Sequence, residues 1–220
     1  MSKIKYPDQG FQIPRCRFVR GSMVKKYTTD HKKQPLPENK HHFWIALAMP
    51  KNTPQANDLL NGIMLHTWNS YSAVAGNQAV MAQLGQGFAA PSFAWKIDDG
   101  DTHPDWSKRE GCPGHWVLGL ATTFELNTFD NRNAALDPAC FQLGDYVDGY
   151  LTTSINGETD VRVAGIYLNP KCFRWLDEGP RINVGADVNQ MMGAATGQGY
   201  YRSQTSAPMS GQMTGAPAPQ

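Results

Sequence analysis

The chain has 220 residues, of which 40% are hydrophobic and 18% charged, and its net charge is +1. Its 21 glycines and 15 prolines favour short strands and long loops over a helical fold. It has no apolar run of about eighteen residues, and residues 1–20 lack the apolar stretch of a signal peptide, so we expect a cytosolic protein without a transmembrane helix.

The charge is unevenly distributed along the chain. Residues 1–51 hold 11 Lys and Arg against 3 Asp and Glu, whereas residues 52–220 hold 9 against 16. A basic arm can bind phosphates by releasing their counterions. A solvated surface strand would carry the same charges, so charge alone leaves both interpretations open.

The four cysteines do not indicate a metal site or a disulfide framework. Cys16, Cys112, Cys140 and Cys172 are far apart, without the paired spacing of a structural zinc site. Disulfides are rare in a reducing cytosol. We therefore expect four free thiols and no metal.

The first half of the chain predicts two strands followed by a helix. A basic first strand is expected over residues 16–29 and a second over 42–49, where two-residue alternation places Trp44, Ala46 and Ala48 on one face. Thr53 and Pro54 resemble a helix N-cap and first helical residue. We expect that helix to run to about residue 71 and to pack on a sheet through an apolar stripe, which comprises Leu59, Leu60, Ile63, Met64 and Trp68. A weaker helix is expected over 77–84.

The second half predicts further strands and then an unstructured tail. Strands are expected over 92–97, 115–124 and 144–155; a tight Asn156-Gly157 turn leads to a return strand over 160–168. Asn169-Pro170 would end that strand, and one more short strand is expected over 172–176. Residues 186–220 are rich in small and polar residues, which predicts a disordered tail after one domain spanning 1–185. The element order indicates a mainly β (α+β) fold: a small, partly open barrel with one or two helices and inserted loops.

No catalytic motif stands out. The chain has neither a phosphate-binding GxxxxGK[ST] loop nor a GxSxG nucleophile. The densest carboxylate cluster (Asp98, Asp99, Asp101, His103 and Asp105) could hold Mg²⁺ in a nuclease, but it lacks the order and the closing Glu of a calcium loop. We expect a solvated acidic turn there, and no catalytic residue.

Binding of single-stranded nucleic acid has more support, because it requires aromatic platforms for bases and cations for phosphates. Tyr146 and Tyr150 share one face of the predicted fourth strand, opposite an apolar face. Trp44 lies beside Ala46 and Ala48, which leaves room for a base or for the helix. Any single aromatic on a strand is more often core or ordinary surface. The candidate DNA-binding residues are Arg15, Arg17, Lys25, Lys26, Trp44, Lys96, Arg132, Tyr146, Tyr150 and Arg162.

Several stretches together resemble a known family. They are the basic residues 15–26; HFWIALAMPK at 42–51, followed by the helix start at Thr53; WKIDDGD at 95–101 ahead of HWVLGLATTF at 115–124; and FQLGDYVDGYLTTSI at 141–155. Over about residues 13–182 the chain resembles the OB-fold single-stranded-DNA-binding proteins of tailed bacteriophages. The resemblance implies a five-stranded OB-type barrel. It also implies a protein without catalytic residues or cofactor that coats single-stranded DNA in phage replication or recombination, in the cytoplasm of the infected bacterium.

Alternatives to this function remain open. A virion or assembly protein could use the barrel for protein contacts, a metal-dependent nuclease could use the acidic cluster, and RNA could replace DNA because stacking serves both polymers. Residues 188–220 contain no Asp or Glu, so we do not expect replication or recombination partners to be recruited through an acidic tail. The tail would then promote self-association on DNA or act as a spacer, and we expect it to be dispensable for DNA affinity.

Overall fold

A computed structural model describes residues 6–30 and 33–182. Within these ranges no helix is long and apolar enough to cross a membrane. The proposed tail over 186–220 lies outside the described residues. The elements, apart from three single-turn 3₁₀ helices, are β1 (Gln9–Gly21), β2 (Phe43–Pro50), α1 (Pro54–Ser72), α2 (Gln78–Leu84), β3 (Ile97–Asp99), β4 (His115–Thr122), β5 (Asn127–Phe129), β6 (Tyr146–Ile155) and β7 (Ile166–Asp177).

The strands of the described residues form one seven-stranded sheet in the order β3-β4-β2-β1-β6-β7-β5. Five of them are long (β1, β2, β4, β6 and β7), and the three-residue strands β3 and β5 lie at the two ends of the sheet. All pairings are antiparallel except that of β5 with β7, which is parallel. The sheet therefore has two more strands than the five expected.

The chain connection between β4 and β5 forces the sheet to curl. They are five strand spacings apart in the order, so a flat sheet at about 4.8 Å per spacing would separate them by roughly 24 Å. The chain from Thr122 to Asn127 can span at most about 18 Å. The two ends of the sheet therefore approach each other, and β4 also contacts β7. The segment before β3 also reaches the segment before β7, because the Ala94 amide donates a hydrogen bond to the Ala164 carbonyl (3.0 Å).

The predicted alternation of β2 is confirmed, and both of its faces are buried. Phe43, Ile45, Leu47 and Met49 belong to the main core between the sheet and the helices. Ala46 and Ala48 on the opposite face lie in a second, smaller cluster with Trp106 and Val117. The outer face of β2 is thus partly covered by the segment that precedes β4.

The first helix begins where the sequence predicts. The Thr53 hydroxyl accepts a hydrogen bond from the Ala56 amide (3.2 Å), which supplies the N-cap, and Pro54 follows it. The helix packs on β1 and β6. Its predicted apolar stripe is correct for Leu59, Leu60 and Ile63, whereas Trp68 is 41% exposed.

Several predicted strand limits are wrong. The first strand spans Gln9–Gly21 rather than 16–29, so Lys25 and Lys26 lie in the loop that follows it. The short strand expected over 92–97 is Ile97–Asp99, and the strand expected to reach residue 124 ends at Thr122. Hydrophobic alternation identified these strands but did not locate their ends, because partner strands decide where pairing stops.

The predicted tight hairpin after β6 is a longer loop, and the return strand begins at Ile166 instead of residue 160. The Asn156 side chain closes this loop: its amide donates to the Val163 carbonyl (2.6 Å) and its oxygen accepts from the Gly165 amide (3.2 Å). Pro170 does not end the strand either. It lies within β7 beside a register shift, which is where a proline is tolerated inside a sheet.

Candidate nucleic-acid interface

A row of aromatic rings follows the outer face of β2 and the loop between β1 and β2. It comprises His42, Tyr27, Trp44 and Trp106, and we call it the aromatic row. Its ring centroids are 6.2 Å apart between His42 and Tyr27, 6.1 Å between Tyr27 and Trp44, and 6.4 Å between Trp44 and Trp106. Tyr27 is 40% exposed and Trp44 is half-buried, so both present ring surface to solvent.

Trp106 is the buried member of the aromatic row. Its indole N–H donates to the Asp98 carboxylate (2.8 Å). It fills the space over Ala46 and Ala48 that the sequence left open for a base or the helix. The helix packs elsewhere, on β1 and β6. Trp106 therefore supports Trp44 from one side.

Cations border the aromatic row. The Arg20 guanidinium lies 5.9 Å from the Trp44 ring centroid and that of Arg109 lies 5.6 Å from the Trp106 centroid, both within cation–π range. Lys25 and Lys26 line a groove of about 330 Å³ together with Ser22 and Tyr27. The row thus combines stacking surface with positive charge, which is the combination that single strands require.

Lys96, a third predicted cation besides Lys25 and Lys26, lies with its backbone next to this surface. Lys96 is exposed, and its carbonyl accepts a hydrogen bond from the Gly119 amide (2.8 Å). A Cβ at Gly119 would lie 3.8 Å from the Trp44 indole nitrogen, so Lys96 and Trp44 border the same glycine. Lys26 forms an ion pair with Glu125 (2.8 Å), which partly neutralises it.

Tyr150 is exposed on the outer face of β6, as predicted, and Val147 and Leu151 are buried on the other face. Its ring lies over β1, where a Cβ at Gly10 would be only 1.7 Å from the phenol oxygen. Tyr150 borders a groove of about 370 Å³ with Gln12 and Arg174. Arg132 is exposed in the turn next to this groove.

Tyr150 and Trp44 do not form one continuous platform. Tyr150 pairs with Gln12 of β1, whereas the Trp44 ring neighbours Arg20 at the other end of that strand. At about 3.3 Å per residue these positions are on the order of 25 Å apart. The predicted site residues therefore fall into separate surfaces.

The other predicted arginines are engaged within the protein. Arg17 donates to the carbonyls of Gly144 (3.4 Å) and Pro180 (2.5 Å) and pairs with Glu110 (3.6 Å). Arg15 lies over the Tyr146 ring, 4.1 Å from its centroid. Arg162 forms a two-pronged ion pair with Asp160, which lowers the pKa of that carboxyl to about 2.

The acidic cluster is tied into the fold. Lys51 donates to Asp99 (2.6 Å) and to Asp101 (2.7 Å). The Lys51 hydrogen bond and a second one from the Gly114 amide hold the pKa of Asp101 below its ordinary value. With Asp98 accepting from Trp106, these carboxylates position the segment that supports the aromatic row.

Tyr27, Arg20 and Trp106 are not among the residues predicted from the sequence. The adjacent Lys25-Lys26-Tyr27 triplet was a usable signal for Tyr27, because cations next to an aromatic residue are typical of strand-binding surfaces. Trp106 carried no such signal. Its segment is loop-like, and only the fold brings it onto β2.

The fold is similar to those of solved bacteriophage proteins. A C-terminally truncated single-stranded DNA-binding protein from bacteriophage Enc34 gives a TM-score of 0.57 at 15% identity, over 79% of this chain and 88% of that one. The Enc34 protein without that truncation gives 0.51 at 16% identity, over 84% and 90%. The single-stranded DNA binding protein gp2.5 of bacteriophage T7 gives 0.54 at 10% identity, over 95% and 100%.

No protein-family model and no curated protein sequence matches this chain. The resemblance indicated by the sequence is thus confirmed at the level of the fold, because the chain shares its architecture with single-stranded DNA-binding proteins of bacteriophages.

Proposed function

We propose that this chain is a non-enzymatic single-stranded-DNA-binding protein that coats strands without strong sequence preference. The observation that carries the proposal is the aromatic row, in which exposed Tyr27 and half-buried Trp44 are bordered by Arg20 and Lys25. Stacking does not depend on base identity, and lysine and arginine bind the phosphates. The row offers both without a base-specific pocket.

The strand order supports an OB-type barrel. Counting only the five long strands, the sheet runs third, second, first, fourth, fifth. We infer that the third barrel strand is divided into β4, which pairs with β2, and β5, which pairs with β7. OB-folds bind oligonucleotides on the face of their second and third strands and on the loop between the first two. The aromatic row occupies that position.

The setting proposed for this activity is phage DNA replication or recombination in the cytoplasm of an infected bacterium. The similarity to the Enc34 and T7 proteins, whose names state single-stranded DNA binding, supports it. Single-stranded DNA is the proposed partner, and self-association along the strand is compatible with a coating role.

The test is a fluorescence titration of the protein with dT oligomers of graded length at two salt concentrations. We expect quenching of tryptophan emission and an affinity that falls steeply as salt rises, because phosphate binding releases counterions. An equal affinity for duplex DNA would contradict the proposal. Incubation of single-stranded and supercoiled DNA with Mg²⁺ should leave both intact; cleavage would contradict the non-enzymatic role.

A further inference from the structure

A third groove lies where the two ends of the sheet approach each other, and we call it the seam groove. It has a volume of about 740 Å³ and lies between the end of β4, the 123–126 link and β7. Its lining includes Lys40, His42, Phe124, Tyr167, Asn169 and Lys171. None of these residues belongs to the site predicted from the sequence.

Two exposed aromatic rings border the seam groove. Phe124 in the link is 76% exposed, and Tyr167 on β7 is 52% exposed. The Phe124 amide donates to the Thr122 hydroxyl (3.2 Å), which fixes the turn that carries the ring, and Tyr167 is fixed by pairing with Ser154 of β6. Rings held by the backbone around a concave surface suit stacking better than scattered surface residues do.

The charge of the groove suits a phosphate backbone. Lys40 and Lys171 are exposed on its lining. Of the lining carboxylates, Glu125 is paired with Lys26 (2.8 Å), which leaves the charge of Asp8 against two lysines. Anionic ligands are therefore favoured over acidic or neutral protein surfaces.

The groove is also continuous with the aromatic row. His42 lines the groove, and its ring stacks on Tyr27 with planes 21° apart. A strand that leaves Tyr27 can therefore reach the groove past the His42 ring. This continuity identifies the occupant as the same polymer that the row binds.

We propose that the seam groove is a second segment of the single-strand path, in which Phe124 and Tyr167 stack on bases while Lys40 and Lys171 contact phosphates. The proposal rests on the proposed function. It extends that function by naming four further contact residues and by predicting that full affinity requires a strand long enough to cover both the row and the groove.

The experiment compares the wild-type chain with the double variant Phe124→Ala/Tyr167→Ala by titration with short and long dT oligomers. Both rings are exposed, so the variant should fold, which circular dichroism and thermal denaturation verify. Each lost stacking contact should weaken binding roughly tenfold, so the variant should lose ten- to hundredfold in affinity for long oligomers and much less for short ones. Trp68→Ala, which removes an exposed ring from α1, is the matched control and should bind as the wild type does.

Photocrosslinking of a 5-iododeoxyuridine oligomer, with the modified residue located by mass spectrometry, adds a direct readout. Crosslinks at Phe124 or Tyr167 would support the proposal. Unchanged affinity of the double variant for oligomers of every length would overturn the proposal while leaving the proposed function standing. The same holds if the wild-type chain forms a dimer that the double variant does not form, while both bind DNA equally well. Failure of the wild-type chain to bind any oligomer would instead overturn the proposed function, and this inference with it.

Discussion

The indole rings of Trp44 and Trp106 lie nearly parallel, with centroids 6.4 Å apart and planes 16° apart. Trp106 is buried and bonded to Asp98, whereas Trp44 is half-buried on β2. The pair thus joins a fixed ring to one that faces solvent. Trp106 therefore packs beside Trp44 while the Trp44 side chain stays partly exposed to solvent.

Substitution by alanine should therefore weaken DNA binding at Trp44 and lower folding stability at Trp106. Trp44→Ala should cost about 1–3 kcal/mol of single-strand binding, the amount typical for one stacking residue. Trp106→Ala should cost about 3–5 kcal/mol of folding stability because it empties a buried site. Oligonucleotide titration and urea denaturation measure the two effects. A Trp44 variant that binds normally would contradict the role of the aromatic row.

Lys25 and Arg17 are both predicted from the sequence as DNA contacts. Substitution of Lys25 should affect DNA binding, whereas substitution of Arg17 should affect folding stability. Lys25 is exposed beside Tyr27, so Lys25→Ala should weaken binding and reduce the slope of log affinity against log salt by about one. Arg17 is bonded to the Gly144 and Pro180 carbonyls, so Arg17→Ala should mainly destabilise the fold, by about 1–3 kcal/mol. Equal salt slopes for the Lys25 variant and the wild type would contradict this assignment.

The Asp160–Arg162 pair should make stability depend on pH at the acidic end. Arg162 lowers the pKa of Asp160 from 3.8 to about 2, so the pair stabilises the fold above about pH 4, and this contribution is lost as pH falls towards 2. Asp160→Asn should be less stable than the wild type at pH 7, with most of the difference lost by about pH 2. Urea denaturation across this range measures it; a constant difference would contradict the linkage.

The Tyr71 side chain, on α1, forms hydrogen bonds with the loop between β6 and β7. Its hydroxyl donates to the Asn156 side-chain oxygen (2.8 Å) and accepts from the Gly165 amide (3.1 Å). Tyr71→Phe should cost about 0.5–1.5 kcal/mol, because it removes the hydroxyl's hydrogen bonds while the Gly165 amide and the Asn156 oxygen keep the bond between them (3.2 Å). Burial raises the Tyr71 pKa to about 12, so the wild type alone should lose this stability between about pH 10 and 12. Denaturant titrations of both proteins at pH 8 and above test this.

Removal of the tail should leave DNA affinity unchanged, but the cut must follow Ile182. The Ile182 amide donates to the Leu143 carbonyl (3.2 Å), and Arg181 pairs with Asp145 (2.7 Å), so a cut after Arg181 removes a fold contact. A chain ending at Ile182 should bind oligonucleotides within about tenfold of the full chain, a difference below 1.4 kcal/mol. A larger loss would show that residues 183–220 contribute to binding.

Local patterns in the sequence determined the parts of this protein that depend on near neighbours. Two-residue alternation placed Trp44 on the outer face of β2 and Tyr150 on the outer face of β6, and both placements are confirmed. The Thr53-Pro54 signal located the start of α1. These succeeded because strand parity and helix capping are properties of consecutive residues.

Only the tertiary structure decided which surfaces those side chains form. It paired β4 with β2 and β5 with β7, placed Trp106 over β2, and bonded the Arg17 side chain to the Pro180 carbonyl. It also separated Trp44 from Tyr150 along β1. Contacts between residues that are distant in sequence depend on strand order and register, and periodicity within one segment does not encode them.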